Sequence, residues 1–307
     1  MGDDLSGPVR AVRGGVTAVG FLPRAVAAVA ALLLVACGEG GDAGNGSADS
    51  HAVSLVDHQG RTVELAHPPE RIVSLVPSAT ATLERLGARD RLVARTDYDT
   101  AQALEHLPSV GGGLEPSMER LIAQEPDVVV RFLAESDPET PTRLSHAGIP
   151  HVAVRPDRVD DIEAMVELLG QLVDEPQGAQ ELWGKIQDGL SEVAEKAPQE
   201  PPTVAFLLGG DPPLVAGPNT FLDDLLTVAG ARNAFDDLDD LYPPVSVEEL
   251  HARPLDRVIA PDAARLPDLP SDVDVARVPG WVQQPGPRLP EAARELARAI
   301  HGEEWGR

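Results

Sequence analysis

Cysteine occurs once in the 307 residues, at Cys37, so no disulfide can form within the chain. Lysine is confined to Lys185 and Lys196, and 25 basic residues face 50 acidic ones, a net charge of −25. That balance excludes the basic footprint nucleic-acid binding requires. It also disfavours adhesion of the protein surface to anionic lipid heads. Aromatics are scarce, with two tyrosines, three tryptophans and five phenylalanines. Each one is therefore an informative marker, because ligand pockets favour aromatic walls. No GxSxG, P-loop, GxGxxG or HExxH pattern is present, so the chain does not read as an enzyme. Eight histidines show no paired metal-ligand spacing. His146 and His151 flank Gly148 and read as surface or turn residues rather than half of a metal site. No repeat of 20–50 residues indicates a solenoid.

What is present begins with an N-terminal address. Arg10, Arg13 and Arg24 precede the uncharged run AVAAVAALLLVA at 25–36. Twelve helical residues reach only about 18 Å, short of the roughly 30 Å of a bilayer core. The run has the length of a signal h-region instead. Leu34-Val35-Ala36-Cys37 resembles the bacterial lipobox, in which small residues precede a cysteine whose thiol takes a diacylglycerol. Residues 1–36 are expected to be a removable signal, with Cys37 the lipidated N-terminus. The segment 37–50 is Gly-, Ser- and Asp-rich and reads as a flexible tether. Residues 1–36 carry three arginines against two aspartates, which leaves −26 on the remainder. The remainder, about 250 residues without disulfides, is long enough to build its own core.

Residues 51–66 read as a hairpin, VSLVD and RTVEL around His58-Gln59-Gly60. Buried-strand patterns then recur at 71–76, 91–95, 127–130 and 151–154. Helical stretches fall between them, at 79–87, at 117–124 with Ser117 as N-cap, and before Gly148. Alternation of strand and helix predicts a mostly parallel, helix-covered sheet. It pauses at 160–173 and 176–196, both helical. In the second segment Ala179, Leu182, Ile186, Leu190 and Val193 recur at spacings of three and four. Alternation resumes with strands at 203–208, 256–259 and 273–278 and helices at 220–229 and 290–301. The fold class is α/β: an N-terminal lobe over 51–158, a connecting helical segment over 159–200 and a C-terminal lobe over 201–307.

The motifs along this frame resemble those of the class III solute-binding proteins of ABC importers, which bind cobalamin, haem or iron–siderophores. The segment RIVSLVPSATATLERLGARDRLVARTDY at 71–98 opens the series. Pro108-Ser-Val-Gly-Gly112, Ser117-Met-Glu119, Glu125-Pro-Asp-Val-Val129 and Leu208-Gly-Gly-Asp-Pro-Pro213 follow. Ala229-Gly-Ala-Arg-Asn-Ala-Phe235, Val245-Ser-Val-Glu-Glu-Leu250 and Pro285-Gly-Pro-Arg288 complete it. The resemblance spans roughly residues 52–301. It implies two Rossmann-like lobes joined by a long rigid backbone helix, with the ligand in the cleft between them and only modest lobe closure.

Four aromatics match the cobalamin-binding members position by position: Tyr98, Phe132, Tyr242 and Trp281. All lie in loops after strands or between elements, where open α/β sheets place ligands, and flat rings suit a planar macrocycle. Two departures accompany the match. Tyr98-Asp99-Thr100-Ala101 replaces the usual Tyr-Cys-Asp-Tyr-Pro-like run, and Ala81 replaces the acidic residue after the SAT motif. The resemblance implies a cobalamin-type corrinoid as ligand, with haem or a ferric siderophore as alternatives. A haem would need an axial ligand, from Tyr98, Tyr242 or a cleft histidine. It implies an ABC permease dimer as partner, docked through one carboxylate per lobe, Glu119 and Glu248, with Glu249 a rival to Glu248. The membrane is reached through the lipid on Cys37. The expected protein is an extracytoplasmic monomer with no cofactor beyond its lipid and ligand. A ligand sensor that does not serve transport is the remaining alternative.

Overall fold

The computed structural model describes residues 52–271, 273–302 and 305, so the expected signal 1–36, Cys37 and the whole tether 37–50 lie outside the described residues. Strands β1 (Val53–Val56) and β2 (Thr62–Leu65) form an antiparallel hairpin with Val53 opposite Leu65. Val53, Leu55, Val63 and Leu65 are buried and their neighbours exposed, the period of two that a one-sided strand imposes. Asp57 closes the turn. Its carboxylate accepts from the backbone N–H of Gln59 and Arg61 and pairs with the Arg61 side chain at 2.8 Å.

The first sheet comprises β3 (Ile72–Ser74), β4 (Leu92–Ala94), β5 (Val128–Phe132) and β6 (His151–Val154), all parallel, in the order β4-β3-β5-β6. Helix α1 (Pro77–Arg85) follows β3, α2 (Met118–Ile122) precedes β5 and α3 (Glu139–His146) precedes β6. Pro77 starts α1, where its missing N–H costs nothing. Helices α4 (Val159–Leu172) and α5 (Pro176–Ala194) come next.

The second sheet contains β7 (Thr203–Gly209), β8 (Leu214–Val215), β9 (Arg232–Asn233), β10 (Arg257–Pro261) and β11 (Asp274–Val278). Strands β11, β10 and β7 run parallel, and the other edge of β7 is shared by β9 at its start and antiparallel β8 near its end. Helices α6 (Phe221–Val228), α7 (Val247–Ala252) and α8 (Leu289–His301) complete this half. Among the described residues no helix is long and apolar enough to cross a membrane.

Strand alternation sorts the side chains into three cores. Ile72, Val128 and Val130 of the first sheet and Val204, Phe206 and Ile259 of the second share one apolar cluster with α1, α4, α5, α6 and α8. The opposite face of the first sheet packs Val73 and Val129 on Leu121 and Leu144. That of the second packs Leu207 and Val258 on Phe235 and Leu250. The largest core therefore runs through both lobes. Helix α5, about 28 Å long at 1.5 Å per residue, is nested by small residues. A Cβ on Gly170 of α4 would lie 2.4 Å from that of Ala179, and one on Gly189 would lie 2.7 Å from Cβ of Pro290 in α8.

A polar clasp joins the lobes as well. Asp224 in the first turn of α6 pairs with Arg158 at 2.8 Å and accepts the Val159 N–H at 3.0 Å. The Phe221 N–H donates to the Asp157 carbonyl.

One histidine departs from expectation. His151 is a buried strand residue, not a surface or turn one. Arg61 Nη1 lies 2.9 Å from its Nε2, and since a guanidinium only donates, that nitrogen accepts. Burial and the neighbouring Arg61 hold its pKa below the ordinary histidine value. His146 is exposed at the end of α3, as expected.

Candidate functional site

In the first sheet the chain order reverses between β3 and β5, and open parallel sheets place ligands outside the carboxyl ends of the strands at such a point. A cavity of about 660 Å³ lies there. Its floor is Leu75-Val76-Pro77 leaving β3 and Phe132 ending β5, and its walls are Tyr98 and the loop Gly112–Glu115. The strand periodicity that buries Val128 and Val130 continues through Arg131, so β5 runs on to deliver Phe132 half-buried at the rim.

Tyr98 is 64% exposed, and its loop is held from behind. The buried Asp99 carboxylate accepts from both the backbone N–H and the hydroxyl of Thr96, each at 2.7 Å, and Thr96 Oγ1 accepts the Tyr98 N–H at 3.2 Å. Asp99, which breaks the usual Tyr-Cys-Asp-Tyr-Pro-like run after β4, thus organises the turn that presents the ring.

The glycines opposite have distinct roles. A Cβ on Gly113 would meet the backbone oxygen of Leu75 at 2.3 Å, so this loop lies directly on the end of β3. One on Gly112 would only touch the Tyr98 ring, at 4.0 Å. Gly113→Ala is expected to cost about 1–3 kcal/mol, as overpacking against rigid backbone does. Gly112→Ala is expected to be near neutral. Thermal unfolding of the two variants checks this; equal midpoints would contradict the close approach.

A second cavity of about 510 Å³ adjoins the first at Tyr98 and crosses to the other lobe. One side is α1 and the segment 98–104, the other Trp281, Gln284, Pro287 and Arg288. Trp281 sits in a short 3-10 turn, Gly280–Gln283, and the Arg288 guanidinium stacks over its ring at 3.7 Å. The two lobes touch beside it, since a Cβ on Gly286 would lie 3.4 Å from Cβ of Ser78.

Three of the four expected aromatics therefore gather around two connected cavities: Tyr98 lines both, Phe132 the first and Trp281 the second. Tyr242 is not with them. It packs against the large shared core, and burial, reinforced by Asp157, pushes its phenol up to about 12. It stays neutral and stands near the clasp between the lobes. Sequence reasoning did not single out Arg85, Arg288 or Gly113. The only available signals were the PGPR motif and the Gly-Gly-Gly run.

Glu119 and Glu248 are both exposed in the first turn of their helices, α2 and α7. The caps come from other residues: Ser117 Oγ accepts the Arg120 N–H and Ser246 Oγ the Glu249 N–H. Neither glutamate has an ion-pair partner among the described residues, whereas Glu249 pairs with Arg253 at 3.2 Å. Among the described residues no group of three or more His, Cys, Asp or Glu converges as a metal site.

Comparison with known proteins accords with this geometry. Residues 72–283, more than half of the chain, match the family described as periplasmic binding protein. A vitamin B12-binding protein of Yersinia pestis (strain Pestoides F) is 26% identical over 249 residues, covering 76% of this chain and 88% of that relative. The apo structure of the periplasmic haem-binding protein RhuT from Roseiflexus sp. RS-1 superposes with a TM-score of 0.68 at 25% identity, over 78% of this chain and 99% of the other. The periplasmic vitamin B12-binding protein BtuF of Vibrio cholerae does so with a TM-score of 0.65 at 20% identity, over 76% and 97%. At that identity the likeness is one of fold.

Proposed function

Because the chain belongs to the periplasmic binding protein family, whose members bind solutes and are not enzymes, we propose that it is an extracytoplasmic receptor delivering a cobalamin-type corrinoid to an ABC importer. The observation that carries this is the pair of connected cavities meeting at Tyr98, with Phe132 beneath and Trp281 across the lobe boundary. A flat macrocycle presents broad apolar faces, and rings held apart on two lobes receive it by stacking and burial. The 26% identity to a vitamin B12-binding protein supports a corrinoid among the tetrapyrroles, although haem-binding relatives are as similar. Cys37 carries the lipid that holds this monomer at the membrane, and Glu119 and Glu248 dock it on the permease dimer.

A second reading, haem, is favoured by Tyr98 itself, a tyrosine open to both cavities and available as an axial oxygen ligand. Tyr242 is a poor candidate for that role, since its phenol resists ionisation. One experiment separates these readings. The protein is incubated in turn with cyanocobalamin, haemin and a ferric hydroxamate, then passed through gel filtration while its absorbance is recorded. We expect a corrinoid spectrum to co-elute at about one equivalent and to survive Tyr98→Phe. A haem band that co-elutes and is lost in Tyr98→Phe would replace corrinoid with haem. Folded protein that retains none of the three would overturn the proposal.

A further inference from the structure

We propose that the cavity between Tyr98 and Trp281 is a subsite for an anionic arm of the ligand, a carboxylate or phosphate, held between Arg85 of one lobe and Arg288 of the other. The proposal rests on the tetrapyrrole reading above and adds to it a charge requirement.

The argument begins with a local inversion of charge. Acidic residues outnumber basic ones two to one in the chain, yet the charged residues lining this cavity are Arg85, Arg89 and Arg288 against Glu84 and Asp99. Both carboxylates are already engaged. Glu84 pairs with Arg89 at 2.7 Å, and Asp99 is buried with its oxygen turned to Thr96. Of the three arginines lining this cavity, Arg85 and Arg288 then remain without a carboxylate partner among the described residues.

Elsewhere on the surface several arginines are neutralised by carboxylates, among them Arg158, Arg253, Arg294 and Arg298. Arg85 and Arg288 face this one cavity from opposite lobes. Arg288 is also held in place, because its guanidinium carbon sits over the Trp281 ring at 3.7 Å. Guanidinium edges match carboxylate and phosphate geometry. Thr80, Thr100 and Gln284 supply further polar lining. The first cavity, by contrast, is walled largely by Leu75, Val76, Phe132 and Tyr98. The apolar ring system is thus assigned to the first cavity and its charged substituent to the second, with Tyr98 at the boundary.

Two matched pairs of probes test this. Haemin is compared with its dimethyl ester, and cyanocobalamin with dicyanocobinamide, which lacks the phosphodiester arm. Each is titrated onto the full chain at low salt by tryptophan fluorescence. Wild type is expected to prefer the anionic member of at least one pair by about tenfold, the scale of one charge-assisted contact. The pair whose preference is lost with the arginine substitutions identifies carboxylate or phosphate as the recognised group.

Arg85→Gln, at a side chain that stacks on no ring among the described residues, is expected to cut the preference by about threefold, roughly half of that contact in free energy. Arg85→Gln with Arg288→Gln is expected to bring the two members within about twofold of each other. A preference retained in the double variant, or equal binding of both members by wild type, overturns the subsite while leaving tetrapyrrole binding intact. Failure of wild type to bind any of the four probes overturns the tetrapyrrole reading and the subsite together.

Discussion

Tyr98→Ala is expected to weaken corrinoid binding by about tenfold, and Tyr98→Ala with Phe132→Ala by about a hundredfold, taking each ring contact as worth about 1–1.5 kcal/mol. The two rings differ in what else they do. Tyr98 is largely exposed and contributes little to the core, so its removal is expected to leave the melting temperature of the free protein unchanged. Phe132 packs against the shared core, and its loss is expected to destabilise the fold as well, by about 1–3 kcal/mol for a half-buried ring. Isothermal titration of cyanocobalamin, paired with thermal unfolding, measures both quantities. A tenfold loss with Tyr98→Ala and no change in stability places the ring at the ligand. Unchanged affinity in the double variant would remove the first cavity from consideration.

Reversing Glu119 and Glu248 to arginine together is expected to abolish uptake while ligand affinity in solution stays within about twofold. Both carboxylates are exposed and unpaired, and both lie outside the two cavities. Charges of this kind orient docking and set its rate rather than its raw strength. On the docking proposed above, each reversal would turn an attraction to a permease cation into a repulsion, so the pair would be worth several kcal/mol against productive docking. Each single reversal is expected to reduce transport by about tenfold, one charge-assisted contact. Transport of labelled cobalamin into cells or proteoliposomes, alongside solution titration, provides the check. Equal loss of solution affinity would show that these residues serve the fold or the cleft instead. Glu249→Arg serves as a contrast, because Glu249 is engaged with Arg253 and is expected to affect uptake less than Glu248→Arg.

Much of this architecture was legible in the sequence, for a physical reason. Strands buried on both faces must be apolar at consecutive positions, and Ile72-Val73, Val128-Val129-Val130 and Val204 to Leu207 are. Prolines and glycines mark where those runs stop, as at Pro77 and Gly87. Helix α5 was legible through its apolar stripe. The two-residue strands β8 and β9 were not, because they are defined only by pairing with β7. The burial of His151 was equally hidden, since the Arg61 that satisfies it lies 90 positions away. Tyr98, Phe132 and Trp281, expected at the ligand from their position in the chain, line the two cavities, but position gave no direction for their side chains. Tyr242 shows the consequence: half-buried, it packs against the core near the clasp and lines neither of the two cavities described. Arg288 was legible only as part of a motif, and its stacking on Trp281 required the fold.

The apolar core that runs unbroken from one lobe to the other has a consequence for timing. Prying the lobes apart would uncover that core at about 25 cal/mol for each Å² of apolar surface, so exposing even 200 Å² would cost on the order of 5 kcal/mol. Spontaneous gaping is therefore rare, and the lifetime of the loaded state is governed by contacts around the ligand rather than by a swinging gate. On the docking proposed above, the work of spreading the jaws would fall to the partner that grips both halves from outside, and that grip would double as the signal to unload.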